Sequence, residues 1–221
     1  MRDESTEISA ALTETVPAGH KGAIRRENER RIREAAERVF SEHGFRGASM
    51  GMIAEEAGVP KPNVYYYFGS KEDLYRLVIE SICDTWLEAA ATFDDMSDPA
   101  DAFRGYVGAK MDLARMRPEG SRLWAIEMAR GAPFIQDYLC HTVKPWLDAR
   151  EARIAKWVAD GTLPPVPARA LIYMIWAMTQ YYADYDAQIR AMNDGAPLTP
   201  AQFDAARENV IALVLRALKL A

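Results

Sequence analysis

The stretch GFRGASMGMIAEEAGVPKPNVYYYFGSKEDL, residues 44–74, decides the fold. Gly44 is a suitable stop for a helix arriving from the N-terminal side. Ser49 stands at the N-cap position of a short helix over Met50–Ala57, which Gly58 breaks. Another short helix follows within Lys61–Phe68, with Pro62 tolerated in its first turn, where a backbone N–H has no intrahelical acceptor anyway. Ser70-Lys71-Glu72-Asp73 has capping-box spacing and opens a longer helix. Two short helices joined by a tight turn at Gly58-Val59 make a helix-turn-helix. Ile53, Ala54, Ala57 and Val59 pack under the turn, the alanines being small enough to let the helices cross closely. The exposed side of the second short helix then offers Lys61, Asn63 and three consecutive tyrosines to a DNA groove.

Upstream, Ile32, Ala36, Val39 and Phe40 recur at helical spacing over about Arg25–His43 and supply the first helix of a three-helix module. Arg25, Arg26, Arg30, Arg31 and Arg33 alternate with Glu27, Glu29 and Glu34 and read as a solvated face. Residues 1–20 show no periodicity and are expected to be a disordered tail. Downstream, Leu74, Leu77, Val78, Ser81, Ile82 and Thr85 form one stripe of the helix begun at Ser70. Breaks then fall at Ser97-Asp98-Pro99, Arg117-Pro118, Gly131-Ala132-Pro133, Gly161 to Pro167 and Asp194 to Pro200. No stretch alternates with a period of two. The expectation is an all-α chain of about nine helices: tail 1–20, helix-turn-helix domain 21–70, and a ligand-binding and dimerisation domain 71–221.

Composition agrees with a globular chain. Of 221 residues 49% are hydrophobic and 27% charged, and the longest apolar run, Ala170 to Met178, covers about half of what a membrane span needs. Met1 to Gly19 has no apolar core of a signal peptide, and the two cysteines make neither a disulfide framework nor a CxxC pair. The reading is a soluble, cytoplasmic protein. The net charge of −5 is uneven: residues 21–76 hold eleven basic and nine acidic side chains, whereas the flanking segments are acidic. A mildly positive module on an acidic body suits DNA binding.

The runs 44–50, Ile53-Ala54-Glu55-Glu56-Ala57-Gly58-Val59, Tyr65-Tyr66-Tyr67-Phe68 and Lys71-Glu72-Asp73-Leu74 resemble the N-terminal domain of the tetracycline-repressor (TetR) family. Pro60 and Pro62 depart from its usual pattern. The resemblance implies that Lys61, Pro62 and Asn63 face base edges, and that Tyr65 and Tyr67 touch backbone phosphates. It makes Lys71, together with Ser49 and the helix turn it begins, a phosphate clamp. Asn pairs with adenine, Lys donates to guanine, and helix N-termini attract phosphate. Tyr66 and Phe68 are expected in the core.

In the body, Phe203, Ala206, Val210, Leu213 and Ala217 form one stripe of the last helix, and Ile211, Leu215 and Leu218 a second. So wide an apolar arc calls for a partner chain or for burial in the chain's own bundle. The resemblance favours a homodimer through the last two helices, matching a palindromic operator. Tyr173, Trp176 and Gln180 share one helical stripe, Trp124, Glu127 and Met128 another, and Lys110 reaches the same region. A buried glutamine needs partners, which a core amide or a ligand supplies. The segments Pro118 to Pro133, Ala155–Val158 and Tyr173–Gln180 are similar to the branch of the family that regulates pyrimidine utilisation. That similarity implies uracil or thymine as effector, and the residues are compatible with it: a flat, neutral pyrimidine can stack on Trp176 or Trp124, and Gln180 offers a donor and an acceptor to its imide edge.

Catalysis is not expected. There is no GxGxxG, phosphate-binding loop, GxSxG or HExxH, and His20, His43 and His141 are scattered. No cofactor or metal is expected either. Two alternatives stay open: a TetR-type sensor of another small ligand, such as an efflux-related drug, or a helical interaction protein that binds no DNA.

Overall fold

The computed structural model describes residues 18–91, 93 and 96–220. The described residues form ten helices and no strand: α1 Ala18–Gly47, α2 Met50–Ala57, α3 Lys61–Phe68, α4 Lys71–Ala89, α5 Pro99–Met116, α6 Pro118–Ala129, α7 Lys144–Ala159, α8 Ala168–Asp184, α9 Asp186–Met192 and α10 Pro200–Ala217. One helical turn, Gln136–Tyr138, and a five-residue π-helix, Leu139–Val143, lead into α7. The all-α expectation holds. Of the expected tail, only Ala18–His20 lie within the described residues, where they open α1. None of the described helices is long and apolar enough to cross a membrane.

Local signals account for the ends of the short helices. Gly44 takes φ 66°, ψ 170° and breaks α1 before its last turn. Ser49 caps α2 by accepting from the Met52 N–H, and Gly58 closes it at φ 62°. A Cβ at position 58 would lie 2.8 Å from the Arg31 guanidinium. That guanidinium donates to the Ala57 carbonyl at 2.6 Å, so Arg31 holds the turn, unlike its neighbours. Arg25 and Arg30 do form the solvated face, paired with Glu29, Glu27 and Glu34.

The capping box expected at Ser70 is only half formed. Its hydroxyl oxygen accepts from the Asp73 N–H, but the Asp73 carboxylate takes the Ser70 hydroxyl, while the Ser70 N–H goes to the Phe68 carbonyl. The reciprocal box stands instead at Thr199 and Gln202, at the start of α10.

Two hydrophobic clusters organise the chain. One joins Ile32, Ala36, Val39 and Phe40 of α1 to Ile53, Ala54 and Ala57 of α2 and Val64 of α3. It then runs through Leu74, Tyr75, Val78 and Ile82 of α4 to Leu123, Ala132 and Ile135. The other is built from α5, α7, α8 and α10, with Phe103, Met111, Ile154, Ile175 and Ile211 at its centre. The seam between the helix-turn-helix module and the body is aromatic: Phe134 packs 4.5 Å from Phe45 and 5.1 Å from Tyr75, centre to centre. Helix α4 therefore belongs to both units, with its first turns in the helix-turn-helix module and its end in the body.

Candidate DNA-facing helix and ligand cavity

Helix α3 is anchored by one fully buried side chain, Val64. Lys61, Pro62 and Tyr65 are exposed and Asn63 half-buried. Among the described residues the side chains of Lys61, Asn63 and Tyr65 make no hydrogen bond, so their polar atoms are not used by the fold. Tyr66, expected in the core, is 75% exposed and correctly belongs to this outer face. The physical reason is crowding: Val64 and the half-buried Phe68, four residues apart, already fill the inward side of a two-turn helix. The Tyr67 ring is half-buried and its hydroxyl accepts from the Asn28 amide at 3.4 Å.

The prolines shape the start of α3. Pro60 and Pro62 have no N–H, and the Asn63 N–H turns back to the Pro60 carbonyl. The α3 N-terminus thus has few free amides, whereas the α2 N-terminus, capped by Ser49, has no proline in its first turn. Lys71 lies between the two. Its ammonium donates to the carbonyls of Phe45 at 2.9 Å and Ala48 at 3.0 Å and sits 4.5 Å from the Phe45 ring centre. An ammonium has three N–H donors, so one remains for a phosphate while two hold the α1–α2 link to α4.

A cavity of about 300 Å³ opens between α4, α5, α6, α8 and the start of α7. Helix α4 contributes Cys83, Trp86 and Leu87; α5 Tyr106 and Lys110; α6 Trp124 and Met128; α8 Trp176 and Gln180. Leu139, Val143 and Trp146 close the remaining side. Five of the seven expected ligand residues, Lys110, Trp124, Met128, Trp176 and Gln180, are brought together here. The other two are not. Glu127 is buried beside Trp124 and Met128 on α6 but outside the cavity wall, where it accepts from the Tyr75 hydroxyl at 3.1 Å and the Phe134 N–H at 3.0 Å, bracing the module against the body. Tyr173 is 48% exposed on the outside of α8. Both share a helical stripe with a true lining residue, and a stripe broader than one wall does not separate the two cases.

The walls are flat and largely apolar. Trp86 and Trp124 meet edge to face at 5.4 Å, and Trp146 lies 6.3 Å from both Trp176 and Tyr106. The Trp176 indole N–H donates to the Tyr106 hydroxyl at 2.6 Å. Lys110 is 4% exposed, and burial lowers its ammonium from 10.5 to about 8. Burial pushes the Cys83 thiol up to about 12, so it is neutral at physiological pH. Seven lining residues were missed by the sequence reading: the aliphatic Leu87, Leu139 and Val143, and four polar or aromatic ones, Cys83, Trp86, Tyr106 and Trp146. Tyr106 and Lys110 stand four residues apart on α5, a spacing that could have paired them. No local signal marks Cys83, Trp86 or Trp146.

The outer faces of α8 and α10 carry exposed apolar side chains: Tyr173, Met174, Tyr181 and, just beyond α8, Tyr185, with Leu213 on α10. Tyr181 and Tyr185 stack in the open at 4.9 Å. The inner stripe of α10 (Phe203, Val210, Ile211, Val214 and Leu215) is buried in the chain's own core. Val210, placed with Leu213 on one stripe in the sequence, therefore faces inward, while Leu213 faces out.

Among the described residues no group of three His, Cys, Asp or Glu side chains could hold a metal ion.

Comparison with known proteins places the chain from residue 32 onward. Residues 32–78 match the model for bacterial regulatory proteins of the tetR family, and residues 79–221 that of the YcdC-like protein C-terminal region. The HTH-type transcriptional regulator RutR of Escherichia coli K12 is 39% identical over 188 residues, covering 85% of this chain and 89% of RutR. Among solved structures, the transcriptional regulator SCO4942 of Streptomyces coelicolor superposes with a TM-score of 0.70 at 27% identity, over 88% of this chain and 99% of that one. FadR of Bacillus subtilis, solved with stearoyl-CoA, shares the fold with a TM-score of 0.66 at 16% identity, over 87% and 99%. With its helix-turn-helix module, its helical body and both family matches, the chain belongs to the TetR family of DNA-binding transcriptional regulators.

Proposed function

We propose that the chain is a homodimeric repressor that binds a palindromic operator and leaves it when a small flat pyrimidine, such as uracil or thymine, enters the cavity. One observation carries the reading. The cavity, at the small end of the range for small-molecule sites, is walled by flat aromatic rings around two polar side chains, Lys110 and Gln180, without hydrogen-bond partners among the described residues. A flat heterocycle with a polar edge fills that shape, stacking on tryptophan and bonding to Gln180. The pyrimidine itself rests on the similarity of the ligand domain to pyrimidine-utilisation regulators and is supported by the relationship to RutR. A sensor of bulky apolar drugs would leave both polar groups without acceptors.

In this reading Lys61, Pro62, Asn63 and Tyr65 enter the major groove. Ser49 and the remaining Lys71 N–H take phosphates, with Tyr67 beside the backbone. The outer faces of α8 and α10 form the two-fold interface. Helix α4 transmits the signal: its end supplies Cys83, Trp86 and Leu87 to the cavity, and Lys71 at its start grips the α1–α2 link. A ligand shifts this equilibrium only by its preference for one of the two arrangements, so a 100-fold loss of DNA affinity needs about 2.7 kcal/mol.

Thermal-shift screening with pyrimidines and their breakdown products, followed by titration of the operator complex, tests the proposal. A ligand at 100 times its Kd stabilises the fold by about 2.7 kcal/mol. Uracil and thymine that neither stabilise the protein nor weaken DNA binding would refute the reading.

A further inference from the structure

Lys110 is the most unusual group in the cavity wall. Its ammonium lies 4.6 Å from the centre of the Trp86 ring, and among the described residues it has neither a hydrogen-bond acceptor nor an ion-pair partner. Two groups act on it electrostatically, Cys83 on α4 and Asp184 at the end of α8. Cys83 is a neutral thiol. Asp184 already accepts from the Ser121 hydroxyl at 2.6 Å, and burial holds its carboxyl above the ordinary range. The remaining titratable groups around the cavity are likewise committed or neutral. Asp84 accepts from the Tyr138 hydroxyl at 2.5 Å, Glu127 is bound to Tyr75 outside the cavity wall, and burial raises the Tyr106 phenol. On α7 the Arg150 guanidinium lies over the Trp146 ring at 4.6 Å and adds positive charge.

The polar balance of the wall is thus one-sided. Lys110 brings three N–H donors, and the buried indole N–H of Trp146 has no acceptor among the described residues. The one hydroxyl oxygen in the wall, that of Tyr106, is already taken by Trp176. A buried cation with no carboxylate in direct contact, and only the field of Asp184 to offset its charge, is costly, and a ligand that brings an anion against it relieves that cost on binding.

We infer that the cavity takes its ligand as a compact planar monoanion, with the negative edge on Lys110 and the uncharged edge on Gln180. The inference rests on the reading of this cavity as the effector site and narrows its chemistry to an acidic imide or a ring carboxylate. An imide that is neutral in water gives its N–H proton to solvent on binding, and the electron pair left on nitrogen faces the ammonium. A carboxylate arrives already charged.

Isothermal titration calorimetry of the full-length protein decides the matter with four probes: uracil, barbiturate, orotate and 1,3-dimethyluracil, which has the pyrimidine shape but no ionisable N–H. Barbiturate or orotate binds more tightly than 1,3-dimethyluracil by about 10- to 150-fold, the range of a hydrogen bond to a charged group. Barbiturate against orotate separates the imide from the carboxylate. Lys110→Met removes that preference. A variant-free check is the proton count of the wild type, read from titrations in buffers of different ionisation enthalpy: uracil binds with release of a proton. Equal affinity for 1,3-dimethyluracil and the anions, an undiminished preference in Lys110→Met, or tight uracil binding without proton release each overturns the inference and leaves the cavity as the effector site. No binding by any of the four probes overturns both.

Discussion

Replacing Lys110 by methionine in the unliganded protein should make the fold more stable at neutral pH. Methionine has nearly the length of lysine and no charge, so the packing against Trp86 is kept while the desolvated ammonium is removed. The magnitude follows from the depressed pKa. An ammonium lowered from 10.5 to about 8 is penalised by roughly 3 kcal/mol when folded, at 1.36 kcal/mol for each factor of ten. The sign follows from linkage. Below about pH 8 Lys110 is protonated in both states, and the whole penalty weighs on the wild type. Between about 8 and 10.5 the unfolded chain holds a proton that the folded one has lost, so wild-type stability rises with pH.

Cys83 works the other way. Its thiol, raised to about 12, stays protonated in the fold while the unfolded thiol ionises above its ordinary 9.0, so its contribution is lost as pH climbs past 9. The clean window is therefore pH 7 to 9, and the quantity to follow is the difference between variant and wild type. Urea unfolding at one fixed protein concentration, since a dimer's stability depends on concentration, gives that difference. It should be largest at pH 7 and shrink steadily above pH 8. A variant less stable than wild type at pH 7, or a difference that does not change up to pH 9, would show that the ammonium is solvated or paired and that the argument from burial is wrong.

Three other substitutions probe the remaining parts. Gln180→Leu keeps the approximate size and removes the amide. The ratio of operator affinities with and without uracil should fall to one, and an unchanged ratio would make Gln180 a plain core residue. Leu213→Glu should dissociate the dimer in sedimentation experiments without unfolding the chain, because Leu213 is 49% exposed. Val210→Glu instead puts an unpaired carboxylate into the chain's own core at a cost of several kcal/mol, so an intact dimer for the first or a normal melting curve for the second refutes the assignment of faces. Asn63→Ala should relax discrimination at one base pair per half-site by about 1–3 kcal/mol, read by competition among operator variants, whereas a purely structural Asn63 would lower affinity for all sequences alike.

The parts of the fold that could be read from the sequence are those set by short-range chemistry. Gly44 and Gly58 need positive φ, Ser49 has an amide to cap within three residues, and Ile32, Ala36 and Phe40 repeat at the helical period. Each effect acts within one or two turns, so spacing alone reveals it. Failures came where two local solutions compete. Ser70 and Asp73 satisfy the capping-box spacing, yet the Ser70 N–H finds the Phe68 carbonyl at 2.8 Å and the reciprocal bond does not form. Tyr66 has a core residue's chemistry, but Val64 and Phe68 already take the inward positions of so short a helix.

The cavity is a different kind of object. A helical stripe tells which side of a helix is covered, but not whether the cover is complete. Trp124, Glu127 and Met128 lie on one arc of α6, yet the first and last face an open space, while Glu127 is sealed by Tyr75 and the Phe134 N–H. Bulky rings from four elements frame the space: Trp86 meets Trp124 at 5.4 Å and Trp146 meets Trp176 at 6.3 Å, two contacting pairs with the cavity walled by both. That is a long-range property: Trp86 and Trp146 carry no motif, and their distance along the chain hides that they share a wall. Lys110 shows what does survive into the sequence. A lysine six residues before the end of α5, among Tyr106, Val107, Met111 and Ala114, interrupts a buried stripe. Such an interruption is costly unless something meets it. Where the folded chain supplies no acceptor, the charge is accounted for by what binds there, which is why this one residue is informative about the ligand as well as about the fold.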